Sequence, residues 1–257
     1  MEDSTHIQTI EEAAARNLLD YVLAFQQWAP AVGAAALPCA GGVAAFTGAG
    51  SPLTTVKGAG PEISESEIDA AEWFFRRHRA RRVVFECAPW LTADTLERLA
   101  RRGYRPEGTE AVVVLPLPCE VEPAAPPVAE LPEETWVRVF PAAFELPDDP
   151  LWPELARVAW RLPGARNLGV VDGEGLAMGC AQMVAAGGVA VLGNDGTLPG
   201  ARGRGVQTAL IRARVKRAVD EELRLAVAEV SQGSVSEKNY LRCGFGSGYV
   251  RTSWVGQ

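Results

Sequence analysis

The residues best suited to chemistry lie in one stretch, Thr197–Val219, where a glycine-rich turn precedes a basic helical pattern. The apolar run Val189–Leu192 before it predicts a buried strand, and apolar residues at helical spacing after it predict a helix. Gly203 and Gly205 let the backbone of the turn approach a ligand closely. The first N–H groups of a helix have no partner within it, and the helix dipole is positive there. The sequence therefore predicts that this turn binds phosphate.

Two common phosphate-binding motifs are excluded at this turn. The mononucleotide P-loop needs Lys and then Ser or Thr after its last glycine, but Gly205 is followed by Val206 and Gln207. The dinucleotide fingerprint needs a third glycine where Thr208 stands. A plain strand-to-helix connection with solvated arginines is the alternative interpretation of so short a motif.

Arg202–Gln207 resembles the pyrophosphate-binding motif of the GNAT superfamily of acyl-CoA-dependent N-acetyltransferases. That motif has Arg or Gln, then Gly three positions later, then Gly or Ala after one further residue. Arg202 and Gly205 match it, whereas Gln207 replaces the final small residue. The resemblance implies acetyl-CoA as co-substrate and no metal. The residues it assigns to the diphosphate are Leu198, Arg202, Gly203, Arg204, Gly205, Val206, Gln207 and Thr208.

A second segment, Gly233–Phe245, resembles the part of the same superfamily that carries a tyrosine four positions before a Gly-Phe pair. Tyr240, Gly244 and Phe245 match, while two positions nearer its start depart from the pattern. The resemblance implies that Tyr240 stands near the CoA sulfur and protonates the departing thiolate. The alternative is a packing tyrosine on a short helix.

Acyl transfer to an amine also needs a base and a donor to the developing oxyanion. Asp195 and Glu229, predicted on adjacent parallel strands, are the candidate bases, with solvated strand-end acids as the alternative. The superfamily supplies the oxyanion donor from a backbone N–H on the strand before the glycine turn, here Val189–Leu198. Gly193 or Asn194 is predicted to mark a bulge in that strand.

Composition limits the class of protein. The 257 residues, with 47% hydrophobic and 22% charged side chains, are typical of a globular protein with a sizeable core. Residues 1–130 carry a net charge of −7 and residues 131–257 a net charge of zero, which argues against nucleic acid as the main partner. Five widely spaced cysteines form no metal-ligand pair and favour a reducing cytoplasm. No membrane span is predicted. Both histidines lie in the first half, so a histidine-based triad is excluded from the second half.

The elements that must position these residues are predicted to form two domains. A proline-rich segment, 119–132, separates residues 1–118 from residues 133–257. The second half is predicted to open with a strand, Trp136–Phe140, and to continue in the order α, α, β, β, β, α, β, α, β. This order agrees with that of the GNAT superfamily, and it predicts an α/β fold with a mixed central sheet flanked by helices.

An internal repeat indicates that the first half is a second GNAT-like domain. In each half, helix, strand and helix lead to a Gly-aromatic pair, Gly103-Tyr104 and Gly244-Phe245. The first half has no arginine–glycine motif before its helix, and the acidic segment Glu62–Asp69 stands there instead. Acids at that turn would repel a diphosphate, so the first copy is predicted to have lost CoA binding.

The sequence as a whole predicts a cytoplasmic N-acetyltransferase that transfers the acetyl group of acetyl-CoA to a primary amine by direct attack. A non-catalytic acyl-CoA sensor or scaffold is the alternative. The acceptor is predicted to be a small-molecule or peptide amine, and the aromatic segment Pro141–Leu162 is predicted to shape its binding site. The sequence leaves open whether the protein forms a homodimer.

Overall fold

The structure, a computed structural model, describes residues 2–256, which divide into two compact units. Unit 1 contains the residues up to Ala111 together with those from Gly248 onward, and unit 2 is Val112–Ser247. The last strand of the chain therefore lies mostly in unit 1, although the sequence assigns it to the second half. The division into independent domains at 119–132 stays a prediction.

Unit 1 is a mixed sheet with three helices. Its elements in chain order are α1 (Glu2–Trp28), β1 (Ala35–Cys39), β2 (Gly42–Phe46), β3 (Thr55–Lys57), α2 (Glu65–Arg77), β4 (Val83–Cys87), α3 (Ala93–Arg101) and the first part of β5 (Arg105–Pro116). The strand order is β1-β2-β3-β4, with β3 and β4 parallel and the other pairs antiparallel. The final strand of the chain pairs antiparallel with β4. Within residues 2–256 no helix, including the 27-residue α1, has the length and apolar character needed to cross a bilayer.

Unit 2 also contains both parallel and antiparallel strands, together with four helices. Its elements are the end of β5, β6 (Val128–Glu130), α4 (Glu133–Ala143), α5 (Leu151–Trp160), β7 (Arg166–Val171), β8 (Ala177–Ala186), β9 (Val189–Thr197), α6 (Val206–Asp220), β10 (Leu225–Ser231), α7 (Val235–Arg242) and the start of β11 (Gly246–Gly256). The strand order is β10-β9-β8-β7-β6, and only β10 and β9 are parallel. The predicted mixed sheet is confirmed.

The strand predicted at Trp136–Phe140 is wrong, because this segment lies inside helix α4. Glu133 and Glu134 occupy the first turn, where acids suit the helix dipole. Trp136, Val139, Phe140 and Ala143 are buried at spacings of three and four residues, which is the pattern of one helix face. The apolar pairs at the two ends of Trp136–Phe140 are typical of a short strand. The two acids that precede the segment are the signal that favours a helix.

The first strand of the second half is instead β6, which lies within the proline-rich segment 119–132 that was predicted to separate the two domains. Val128–Glu130 pairs antiparallel with β7, and Val128 lies opposite Val170. The predicted order of elements therefore holds, but its first strand comes earlier in the chain.

The two halves end their short helices in the same way. Gly103 has a φ of +91°, and the N–H of Tyr104 donates to the carbonyl of Leu99 at 3.1 Å. Gly244 has a φ of +92°, and the N–H of Phe245 donates to the carbonyl of Tyr240 at 3.2 Å. A bond across five residues with glycine in the left-handed region is the Schellman cap. The repeat read from the Gly-aromatic pairs is thus present in the backbone.

All five cysteines are free thiols, and their burial predicts their reactivity. Burial raises the pKa of Cys39, Cys87 and Cys180 to about 12, whereas Cys119 and Cys243 are partly exposed. Because the thiolate is the reactive form, we expect only the last two to react with Ellman's reagent in the native protein at pH 8. All five should react after denaturation. Rapid native reaction of more than two thiols would contradict the burial of the other three.

Candidate active site

The predicted phosphate site is an exposed turn at the start of α6. Leu198 leads into a single 3₁₀ turn, Pro199–Ala201, after which Gly203 and Gly205 adopt φ values of +76° and +77°. Residues 202–205 are exposed to solvent. No side chain caps α6 and no acid stands in its first turn. The first N–H groups of this helix therefore face a site open to an anion.

The corresponding helix of unit 1 is α2, and a carboxylate of the chain itself already lies at its N-terminus. The Glu67 side chain accepts hydrogen bonds from the backbone N–H of Ser64 at 2.8 Å and of Ala40 at 3.1 Å. The Ser64 hydroxyl completes a capping box by accepting from the N–H of Glu67. Hydrogen bonds from Ser64 lower the pKa of Glu67, so the carboxylate stays charged. These contacts place a charged carboxylate at the N-terminus of α2, where it would repel a diphosphate.

The glycine turn opens onto a cavity of about 720 Å³ in unit 2. One wall is β9, through Asp195 and Thr197, and the opposite wall is α7, through Val235, Asn239 and Arg242. The remaining lining residues are Ala143, Ala201, Arg202, Gly203, Gly205, Val206, Gln207 and Thr208.

Six of the eight residues predicted to hold CoA line this cavity, and Leu198 and Arg204 do not. The backbone N–H of Leu198 donates to the carbonyl of Met178 at 2.9 Å and continues the sheet. Arg204 is exposed on the turn. Arg202 forms a solvent-exposed ion pair with Glu145 at 2.5 Å, a contact that an anionic ligand can replace at little cost.

The predicted bulge in β9 is confirmed at Asn194. The register between β8 and β9 shifts between Cys180 and Gln182, and Asn194 has a φ of +54°. The Asn194 side chain donates to that of Gln182 at 3.0 Å, which fixes the bulge to β8. Pairing between β9 and β10 ends at Leu192 and Ala228, although both strands continue. The strands therefore part where the cavity begins.

Asp195, immediately after the bulge, is the centre of a hydrogen-bond network. Its Oδ1 accepts from the Tyr240 hydroxyl at 3.0 Å and from Nη1 of Arg214 at 3.4 Å. Its Oδ2 accepts from Nε2 of Gln207 at 2.9 Å. Nη2 of Arg214 also donates to the Tyr240 hydroxyl at 3.1 Å. The structure thus brings together two predicted catalytic residues, Asp195 and Tyr240, and adds a buried cation to them.

Tyr240 lies behind Asp195 and away from the cavity. Its side chain is fully buried, and the residue does not line the cavity. Burial raises the pKa of its phenol well above the ordinary value, so the hydroxyl stays protonated at neutral pH. Its hydroxyl both donates to Asp195 and accepts from Arg214. This geometry suits a residue that orients Asp195.

Glu229 lies on β10, adjacent and parallel to β9 as predicted, but it does not line the cavity. The geometry therefore separates the two candidate bases, since Asp195 faces the cavity and Glu229 does not.

Arg214 is a site residue that the sequence reading missed. It lies in the basic helical pattern of Thr197–Val219, where no site role was predicted for it, yet it is completely buried. Besides its contacts with Asp195 and Tyr240, it donates to the carbonyls of Gln182 at 3.1 Å and Gly193 at 3.4 Å. The available signal was its spacing, since it continues the buried line of Val206 and Leu210 at intervals of four residues.

No protein-family model matches the sequence, and no curated protein matches it. Similar solved structures include a GCN5-related N-acetyltransferase from Kribbella flavida, with a TM-score of 0.64 and 16% identity over 94% of this chain and 95% of that protein. A tandem GNAT protein from the clavulanic acid biosynthesis pathway has a TM-score of 0.62 and 18% identity over 99% of this chain and 94% of that one. A GCN5-related N-acetyltransferase from Sphaerobacter thermophilus has a TM-score of 0.60 and 18% identity over 74% of this chain and 66% of that protein.

At sequence identities of 16–18%, the similarity to these structures shows a shared fold and no more. The chain has the α/β fold of GNAT proteins, and its similarity to a tandem GNAT protein extends over 99% of its length. The fold class and the tandem arrangement predicted from the sequence are confirmed.

Proposed function

We propose, from the fold that this chain shares with GNAT proteins, that it is an acyl-CoA-dependent N-acyltransferase. The transfer of acetyl from acetyl-CoA to a primary amine is the reaction proposed. The single observation that carries the proposal is the uncapped N-terminus of α6, which opens through Gly203 and Gly205 onto a cavity that also contains Asp195. A diphosphate site and a proton acceptor therefore share one space.

The residues present fit the diphosphate of CoA. The backbone N–H groups of Val206, Gln207 and Thr208 are the first of α6, and an anion there is stabilised by the helix dipole. Arg202 and Arg204 supply positive charge at the exposed turn. The first turn of the helix contains no acid to repel the ligand. When bound, acyl-CoA supplies an activated thioester carbonyl.

The chain's own residues remove the proton of the amine and stabilise the developing charge. As the C–N bond forms the C–S bond breaks, and the departing CoA thiolate takes a proton from water. Asp195 accepts the proton of the attacking amine, directly or through a water, because it is the acid that lines the cavity. Tyr240 and Arg214 hold its Oδ1 in place. Backbone N–H groups of β9 beyond Leu192, where β10 no longer pairs with it, are the proposed donors to the oxyanion.

The acceptor amine is proposed to enter beside Phe144. This ring is substantially exposed, and it lies against Gly196, whose added Cβ would come within 3.1 Å of it. Trp160, which belongs to the same aromatic segment, instead donates its indole N–H to the carbonyl of Leu131 at 3.0 Å and packs in the core. A small-molecule or peptide amine is the acceptor class proposed.

Replacing Tyr240 by phenylalanine distinguishes a positioning role from an acid role. Since the hydroxyl orients Asp195 from behind, we expect Tyr240→Phe to lower kcat by no more than about tenfold. The two lost hydrogen bonds, to Asp195 and from Arg214, should together cost about 3 kcal/mol of stability. A general acid contributes about 10²–10⁴-fold. Steady-state kinetics with acetyl-CoA and an amine acceptor make the measurement.

Tyr104→Phe is the matched control, because it removes a buried phenolic hydroxyl from unit 1, where it donates to Glu72. It should leave kcat unchanged. A loss of a hundredfold or more in Tyr240→Phe alone would instead assign the thiolate's proton to Tyr240, as the superfamily resemblance implies.

A non-catalytic acyl-CoA-binding protein is the second candidate, and the burial of Tyr240 favours it. A sensor would bind acetyl-CoA without consuming it. Mass-spectrometric measurement of acetyl-CoA with and without a panel of primary amines separates the two functions, because only the enzyme gives amine-dependent CoA release.

A further inference from the structure

The side chain of Gln207 connects the two walls of the cavity. Its Nε2 donates to Oδ2 of Asp195 at 2.9 Å on β9 and to Oγ of Ser236 at 2.8 Å on α7. Its Oε1 accepts from Nδ2 of Asn239, also on α7, at 2.7 Å. Both amide hydrogens and the carbonyl oxygen therefore have partners, and these three bonds are called the Gln207 bridge below.

The Gln207 bridge lies between the diphosphate site and Asp195. Gln207 is the second residue of α6, so its backbone lies among the amides proposed to hold the diphosphate. Its side chain ends at Asp195, the proposed proton acceptor. A ligand that occupies the glycine turn and also extends between β9 and α7 meets this side chain first. A ligand that ends at the diphosphate does not need to pass it.

The bridge also occupies the oxygen of Asp195 that neither Tyr240 nor Arg214 contacts. Oδ1 receives both of those donors, and Oδ2 receives Gln207. Oδ2 keeps a second lone pair beside the one that Gln207 contacts, so the closed bridge leaves Asp195 a single site there for the proton of an amine. Opening of the bridge therefore clears the path between the walls and frees both lone pairs of Oδ2.

We propose that Gln207 is a specificity-determining residue whose bridge must open before the thioester arm of an acyl-CoA reaches Asp195. This inference rests on the proposed function and deepens it. Part of the binding free energy of the arm is used to break the three bonds of the bridge, so the closed bridge weakens CoA but not a ligand that lacks the arm.

Gln207→Ala tests the bridge by removing it while keeping the helix N-terminus. Titration calorimetry would compare CoA with 3′-phosphoadenosine 5′-diphosphate, which carries the same diphosphate without the arm. We expect the variant to bind CoA at least tenfold more tightly than the wild type and to bind the shorter ligand equally well. Ser236→Ala, which removes one of the three partners, should give a smaller change in the same direction.

Lys238→Ala is the matched control on α7, because Lys238 is exposed and does not line the cavity. It should bind both ligands like the wild type. If Gln207→Ala binds CoA no more tightly than the wild type, while both bind the shorter ligand, the bridge has no such role. If no variant binds either ligand, the proposed function fails together with the bridge.

Discussion

Gly203→Asp is expected to lower the affinity for CoA at least a hundredfold while the protein stays folded. Gly203 lies at the exposed turn with no heavy atom within 4 Å of an added Cβ, so a side chain fits there without moving the protein. Its carboxylate would lie close to the first amides of α6, as Glu67 does for α2. Two like charges about 5 Å apart at a protein surface repel by about 3 kcal/mol, and 1.4 kcal/mol is a factor of ten in affinity.

Gly203→Asn is the matched control for this substitution. Asparagine has the same shape as aspartate and shares its tolerance of the left-handed φ of +76° at this position. It carries no charge, so we expect it to weaken CoA by less than tenfold. The aspartate should make the protein at least as stable as the asparagine does, since an acid near a helix N-terminus contributes about 0.3–1 kcal/mol. Equal CoA affinity in the two variants, measured by calorimetry, would contradict a diphosphate at this turn.

Asp195→Asn is expected to lower kcat by about 10²–10⁴-fold, because it removes the proposed proton acceptor and keeps its size. The amide oxygen can still accept from Tyr240, whereas the amide nitrogen cannot accept from Gln207 in place of Oδ2. The affinity for CoA should not fall, since the diphosphate contacts lie on α6, and loss of the Gln207 contact at Oδ2 should tighten it slightly, as in Ser236→Ala. The separation of kcat from binding is the diagnostic result.

Asp195→Asn should also destabilise the protein, which the replacement of a solvent-exposed acid would not do. Arg214 is completely buried and forms an ion pair with Asp195. Removing one partner of a buried pair costs about 3–5 kcal/mol, so kinetics should be measured at a temperature where denaturant titration shows the variant to be folded. Glu229→Gln tests the other carboxylate. Full activity in Asp195→Asn with loss in Glu229→Gln would transfer the role of base to Glu229.

The parts of the site that the sequence predicted correctly are set by local backbone requirements. Gly203 and Gly205 were assigned to a turn before a helix, and both adopt left-handed conformations there. The bulge expected at Gly193 or Asn194 is present. Glycine and asparagine at strand and helix ends report on the conformation of their own residue, so no tertiary information is needed to read them.

The parts that the sequence did not predict depend on packing between distant elements. The helical face of α4 becomes evident only through the core it covers, where Trp136 is fully buried. Arg214 looked like one more surface arginine, because its partners lie on β8, β9 and α7, far from it in sequence. The contacts of Gln207 with both cavity walls are likewise long-range. Spacing within one helix identifies a buried position, but it does not identify the partner that neutralises a charge there.

Binding of the CoA diphosphate by the first amides of α6 is the central proposal, and amide chemical shifts measure this contact directly. In a ¹⁵N-labelled sample titrated with CoA, we predict that the largest shift changes occur at the backbone N–H groups of Gly205, Val206, Gln207 and Thr208. The N-terminal amides of α2 in unit 1 should not respond, because Glu67 and Ser64 already occupy that helix end. Saturable CoA binding that leaves the four α6 amides unchanged, or the absence of any response to CoA, would contradict the account.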